Sequence, residues 1–153
     1  METSRLDIEL KEVTVDNFED VVELELNEDQ RDYVADNAFS IAESKFFPTY
    51  QPRAIYSNGK VVGFLMYQSM DDEGQPVEYE IFRFMVDRRF QKTGIGRKAM
   101  ELVLNEIKSN GNVKSITICY APTNPVAKEF YGSFGFKEVG VNSEGEIVAE
   151  IEV

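Results

Sequence analysis

The chain has 153 residues, of which 42% are hydrophobic and 29% charged, and a net charge of −12; that is enough for one domain with a substantial core. No apolar run approaches the ~20 residues needed to cross a bilayer. With no histidine and a single cysteine, the sequence excludes an intrachain disulfide, Ser–His and Cys–His nucleophile pairs and the usual zinc sites, so acid–base work falls to Tyr, Asp, Glu, Lys or water.

Residues 1–153 read as one domain. The polar start from Met1 to Asp7 lacks the apolar core of a signal peptide, and a cytoplasmic address is the default. Leu6 to Val13 alternates polar and apolar residues, the pattern of a half-buried strand. Asp16 or Asn17 can cap a helix with apolar positions at Phe18, Val21, Val22 and Leu26. From Asn27 to Phe47 the pattern is helical but polar, with Tyr33, Val34, Ala38, Phe39, Ile41 and Ala42 among acids, until Pro48 and Pro52 end it.

Arg53–Ser57 and Lys60–Gln68 read as two strands joined by Asn58-Gly59, a dipeptide that supplies the positive φ angles of a two-residue hairpin. Gly63 inside the second strand marks a bulge or a close approach. A turn at Asp71-Asp72-Glu73-Gly74 leads to a strand from Val77 to Val86. The chain then passes through Gln91-Lys92-Thr93-Gly94-Ile95-Gly96 into a helix patterned by Ile95, Ala99, Leu102, Val103 and Ile107, widened by Met100 and Leu104.

Ser109-Asn110-Gly111-Asn112 stops that helix. Ser115 to Tyr120 is a short strand in which Cys119 reads as a buried residue rather than a nucleophile. A helix from Asn124 or Pro125 to Phe134 carries Ala127, Phe130, Tyr131 and Phe134 on one face, and Pro125 suits its first turn. Phe136–Val141 and Glu146–Ile151 close the chain as a hairpin around Ser143-Glu144-Gly145. The predicted fold class is α/β, an α+β mixed sheet, in the order β-α-α-β-β-β-α-β-α-β-β.

A strand, a glycine-rich turn and a helix start together make an anion cradle: glycine lets backbone approach a ligand, and the helix opening offers unpaired N–H groups at the positive end of its dipole. Residues 88–98 add five Lys/Arg and no acid. The spacing is neither that of a dinucleotide fingerprint nor that of a P-loop. Gln-x-x-Gly-x-Gly after a strand resembles instead the acetyl-CoA pyrophosphate loop of the GCN5-related N-acetyltransferases. A second segment agrees with the first, since Asn124-Pro125-Val126-Ala127-Lys128-Glu129-Phe130-Tyr131-Gly132-Ser133-Phe134-Gly135-Phe136 is similar to that family's Asn-x-x-Ala-x-x-x-Tyr-x-x-x-Gly-Phe. Within the family, Arg83-Phe84-Met85-Val86-Asp87 and the Gly-Phe-x-x-x-Gly near the end resemble bacterial spermine/spermidine acetyltransferases, although Phe82 stands where some of those enzymes have a carboxylate.

The resemblance implies a GNAT acyl-CoA N-acyltransferase fold, acetyl-CoA as cofactor, and acetyl transfer to a primary amine by direct attack in a ternary complex. It implies cofactor binding by Phe84, Met85, Val86, Gln91, Lys92, Thr93, Gly94, Ile95, Gly96, Arg97, Asn124, Ala127, Lys128 and Tyr131. In that scheme the Val86 N–H polarises the thioester carbonyl and Tyr131 is the general acid, although a core tyrosine explains its pattern too. Glu80, on one strand face with Glu78, is the candidate base, acting through water, with a solvated strand face as the plain alternative.

Residues 1–50 hold 14 acids against 4 Lys/Arg, whereas residues 51–153 hold 14 against 12. This acidity opposes nucleic-acid binding and attracts a cationic amine; solubility alone also accounts for it. Glu28, Asp32 and Asp36 recur every four residues, a stripe able to hold a polycation or to face solvent, and with Glu78 they are the candidate substrate-binding acids. The acceptor expected is a polyamine; an aminoglycoside, a protein N-terminus or a lysine side chain is the alternative, and a catalytically idle acyl-CoA-binding module is another. No metal and no membrane partner is expected, and dimers are common in the family.

Overall fold

The computed structural model describes residues 7–28, 36–70, 77–124 and 126–153. The elements are β1 (Ile8–Glu12), α1 (Phe18–Val22), α2 (Asn37–Phe46), β2 (Tyr50–Ser57), β3 (Lys60–Met70), β4 (Val77–Val86), α3 (Ile95–Lys108), β5 (Val113–Tyr120), α4 (Ala127–Gly132), β6 (Lys137–Val141) and β7 (Ile147–Glu152). Their order is the predicted one. Among the described residues seven strands form one mixed sheet, β1-β2-β3-β4-β5-β7-β6, in which only the central pair β4–β5 is parallel.

β3 sits deep in the sheet and is apolar on both faces, as a doubly covered strand must be. Val62, Leu65 and Tyr67 join the larger core with α3 and α4, while Val61, Phe64 and Met66 join a smaller one with Val21 of α1. α3 contributes the longest apolar stripe: Ile95, Ala99, Met100, Val103, Leu104 and Ile107 are all buried, and Leu102 is half-buried. Each large side chain so placed contributes about 1.5–3 kcal/mol of transfer free energy. The same face carries a polar tie: Glu106 of α3 accepts from Arg53 Nε at 3.1 Å and from the hydroxyl of Tyr67.

The hairpin forms as the dipeptide predicts, with Asn58 at φ 50° and Gly59 at φ 82°. Gly63 proves to be a close approach. A Cβ there would stand 2.6 Å from the carbonyl oxygen of Met85 and 3.0 Å from Ile55 Cδ1.

The first third differs from its prediction. Asn17 precedes α1 but does not cap it; its side chain is buried, accepting from the Thr14 N–H (2.8 Å) and donating to the Glu12 carbonyl (3.0 Å) and Tyr56 hydroxyl (3.1 Å). α1 ends at Val22, so Leu26 lies beyond it and packs on the smaller core from an extended segment. The helix expected over 27–47 is described only from Asn37 to Phe46, started by Asp36, whose carboxylate accepts from the Ala38 N–H at 2.9 Å. No described helix is long and apolar enough to cross a membrane.

Candidate active site

The site begins where the central strands part. β4 pairs with β5 from Val77↔Val113 to Ile81↔Ile118 and no further. Beyond that point β5 pairs only with β7 (Cys119↔Val148, Tyr120↔Ile147), and β4 only with β3. A bulge explains the parting: Met66 is opposite Arg83 and Tyr67 opposite Ile81, so Phe82 has no partner in β3 and the strand bends there. Antiparallel ladder bonds alternate between the two sides of a strand. Because the Asp87 N–H donates to the Val62 carbonyl (2.8 Å), the backbone groups of Phe84 and Val86 point into the gap that β5 has left. Met85 turns the other way, its carbonyl against Gly63. Of the three backbone positions named for the cofactor, Phe84 and Val86 point into the gap and Met85 does not.

The cradle follows directly. Asp87 is buried, only 1% exposed, and fastens the strand end. Its Oδ1 accepts from the N–H and the Nε of Arg89 (2.9 and 2.8 Å), and its Oδ2 accepts from the Glu25 N–H (2.9 Å). Burial by itself would raise this carboxyl's pKa; the hydrogen bonds and charge of Arg89 and the amide of Glu25 outweigh it and hold the group below the ordinary carboxylate range. Sequence reasoning passes over Asp87, because only the fold brings the Glu25 amide to it.

Gln91 Nε2 donates to the Val86 carbonyl at 2.9 Å and so shapes the turn. Thr93 Oγ1 donates to the Phe90 carbonyl at 2.6 Å. Lys92 and Gly94 have φ of 61° and 89°, and the turn delivers the chain into α3 at Ile95. Among the described residues, no backbone acceptor serves the amides of Lys92 to Arg97, the orphan donors of a helix start. A Cβ on Gly96 would meet only Phe130, Val86 and Phe84 at 3.8–4.0 Å, ordinary contact distances. Packing in the fold therefore does not require glycine there. Of the five basic residues, Arg88, Arg89 and Lys98 have carboxylate partners; Lys92 and Arg97 have none among the described residues. Arg97 lies over the Phe134 ring (4.6 Å) and donates to Ser133 Oγ (2.7 Å). The free amides and the two cations suit a pyrophosphate, and the strand gap beside them suits a long arm.

α4 closes the other wall. Asn124 Oδ1 accepts from the N–H groups of Val126 and Ala127, both at 3.3 Å, which sets the helix start and leaves its amide NH2 as the group able to reach a ligand. Phe130 packs against Phe84 with ring centroids 6.2 Å apart, bringing α4 to the parted half of β4. Tyr131 lies between Tyr120 (5.8 Å, stacked), Phe130 (5.2 Å) and Phe136 (6.0 Å). Its hydroxyl has no hydrogen-bond partner among the described residues and is not sealed from solvent. Burial, then neighbouring Tyr120, pushes its pKa up to about 12, so the phenol keeps its proton at neutral pH. Ala127 is buried at the start of α4, whereas Lys128 is exposed, 4.0 Å from Glu138.

The candidate acids are spread out. Glu80 and Glu78 share the strand face turned away from α3; Glu80 accepts from Gln68, and Glu78 lies at the lower end of β4, beside Ser115 (3.5 Å). Asp36 is extended (ψ 136°) and caps α2, and Glu28 is exposed, so the two do not share a helical stripe. Asp32 lies outside the described residues. Among the described residues no group of three His, Cys, Asp or Glu side chains is placed to hold a metal.

A parted parallel strand pair, an amide cradle at its end and a protonated phenol on the facing helix form an arrangement suited to an acyl-CoA-dependent transferase. Residues 9–136 match the model of the Acetyltransferase (GNAT) family, and the chain belongs to that family. The spermine/spermidine N(1)-acetyltransferase of Bacillus subtilis is 27% identical over 152 residues, covering 95% of this chain and 100% of the relative. The ribosomal protein bS18-alanine N-acetyltransferase of Escherichia coli is 30% identical over 84 residues, 55% of this chain and 53% of that one. The PaiA N-acetyltransferase of Thermoplasma acidophilum, solved in complex with coenzyme A, superimposes with a TM-score of 0.70 at 15% identity, covering 96% and 99% of the two chains. The protein is an N-acetyltransferase, and acetyl-CoA is its cosubstrate.

Proposed function

We propose that the acceptor is a primary amine of a polyamine, spermine or spermidine being the first to try. The full-length likeness to the Bacillus relative carries this reading. Glu78 and Glu80, on the open face of the strand that parts, add carboxylates for a cation. Glu28 and Asp36, both exposed, are further candidate acids for the cation.

Acetyl-CoA supplies an acetyl thioester, to whose carbonyl carbon the amine nitrogen bonds as the carbon–sulfur bond breaks. The amides of 92–97, with Lys92 and Arg97, hold the pyrophosphate, and the backbone of Phe84 and Val86 pairs with the pantetheine arm opposite the Asn124 amide. The Val86 N–H, directed into the gap, would polarise the thioester carbonyl as its oxygen gains charge. An alkyl ammonium with the ordinary pKa of ~10.4 must lose a proton before attack, and Glu80 takes it through a water. Tyr131 gives its phenol proton to the departing sulfur and regains one from the nitrogen as the amide forms. One proton leaves to solvent per turnover.

A protein N-terminus is the second reading. It is favoured by the partial likeness to the bS18-alanine enzyme and by Phe39, Phe46 and Phe47, exposed side chains suited to a peptide rather than a polyamine. A thiol-release assay over spermine, spermidine, N-terminal peptides, lysine peptides and an aminoglycoside separates the two. With the preferred amine, Tyr131→Phe should lower kcat about 10²-fold or more and leave acetyl-CoA affinity unchanged. Equal loss of rate and affinity would make Tyr131 a packing residue.

A further inference from the structure

We propose that Gln68 and Cys119 are positioning residues for Glu80, each holding one carboxylate oxygen so that the group meets the acceptor ammonium in a single orientation. The inference rests on the reading of Glu80 as the base. Three adjacent strands supply the parts. Gln68 of β3 is directly opposite Glu80 in the register, and Cys119 of β5 is diagonal to it, two positions beyond Thr117. Gln68 Nε2 donates to Glu80 Oε1 at 2.9 Å, and Cys119 Sγ lies 3.7 Å from Oε2, within reach of a thiol donor.

A half-buried glutamate on an open sheet face would otherwise sample several rotamers. A base that works through one water needs a fixed oxygen, because a small misplacement of the carboxylate lengthens the whole relay. One donor on each oxygen fixes the plane of the carboxylate and leaves a lone pair on each oxygen turned outward. Packing does not explain the pair, since neither Gln68 nor Cys119 belongs to either apolar core.

The thiol can donate because it stays protonated. Burial first, then the charges of Glu80 and Glu146, push Cys119 up to about 11, against a smaller pull from Asn142. Those are the two carboxylates that face it, Glu80 from β4 and Glu146 from the approach to β7. Cys119 is thus a donor at neutral pH and not a nucleophile.

Four variants test the proposal. Gln68→Met keeps the shape without the donor, and should lower kcat about 10-fold with acetyl-CoA affinity and melting temperature unchanged. Cys119→Ala should lower kcat about 3-fold, and Cys119→Ser, which restores a donor, should recover most of it. Glu80→Gln should lower kcat about 10²-fold. A readout independent of turnover comes from the pH dependence of Cys119 alkylation by iodoacetamide. In Glu80→Gln the loss of the adjacent charge should shift that profile to lower pH. Wild-type kcat in both Gln68→Met and Cys119→Ala, with Glu80→Gln impaired, would overturn the positioning role and leave the base intact. An unshifted alkylation profile would remove the Cys119 contact, and wild-type turnover in Glu80→Gln would sink the base itself.

Discussion

α3 and α2 dock on opposite faces of one sheet by opposite means. α3 turns an apolar stripe inward, tied at its edge by Glu106 to Arg53 and Tyr67, and leaves Lys98, Glu101 and Lys108 exposed. α2 buries Asn37 and Ser40 and leaves Phe39 (58%) and Phe46 (78%) in the open. Beside Ile41, which packs on the smaller core, its attachments are polar: Asn37 Nδ2 donates to the Val21 carbonyl (3.0 Å), and Arg83 of β4 donates to Ser40 Oγ (3.0 Å) and pairs with Glu43 (2.8 Å). A helix held by transfer free energy announces its buried face through periodicity, whereas one held by a few directed bonds does not. The two helices also differ in place: α3 starts at the turn whose amides have no backbone partner among the described residues, whereas α2 lies against the smaller core on the other face.

The largest effect should come from the start of α3. Gly96→Asp puts a side chain and a negative charge among the cradle amides, and acetyl-CoA binding measured by calorimetry should weaken at least about 100-fold. The fold should survive, because the space for a Cβ exists. Loss of folding instead would place Gly96 in the core. Next, Met100→Ala in the α3 stripe should cost about 2–5 kcal/mol in urea unfolding, against about 1–3 kcal/mol for Asn37→Ala under α2. Equal costs would erase the contrast between the helices.

Smaller still is a pH effect at the joint between β4 and the cradle. The folded-state pKa of Asp87 is depressed, so it contributes stability above its unfolded pKa that is lost as pH falls through the folded one. Asp87→Asn should therefore be less stable than wild type at neutral pH, with the gap closing in acid. A constant gap would show that the contribution is not electrostatic. Least of all, Phe39→Ser should change stability by less than about 0.5 kcal/mol; a larger loss would mean that α2 buries its aromatic side after all.

Most of the cradle is legible in the amino-acid order. Gly94 acts through local backbone conformation and the basic run through charge, and Tyr131 sits on a short helix, begun by Asn124, whose pattern shows its face. Less visible are the residues that support the site. Asp87 reads as a polar residue after a strand until its partner at Glu25 is seen, and Gln68 and Cys119 read as filler on two strands until the register sets them on Glu80. The stripe from Glu28 to Asp36 fails for a local reason. An aspartate is as good a cap as a helix surface residue, and Asp36 takes the cap.

The amino-acid sequence alone determined the element order, the inward face of α3 and the turn from Gln91 to Gly96, because each depends on neighbours a few residues apart. Only the tertiary structure decided that β4 leaves β5 at Phe82, that Met85 faces away from the gap, and that Glu80 is held from both sides. Those outcomes depend on strand register and on contacts between residues a dozen or more positions apart, and no local pattern encodes which partner a strand will meet.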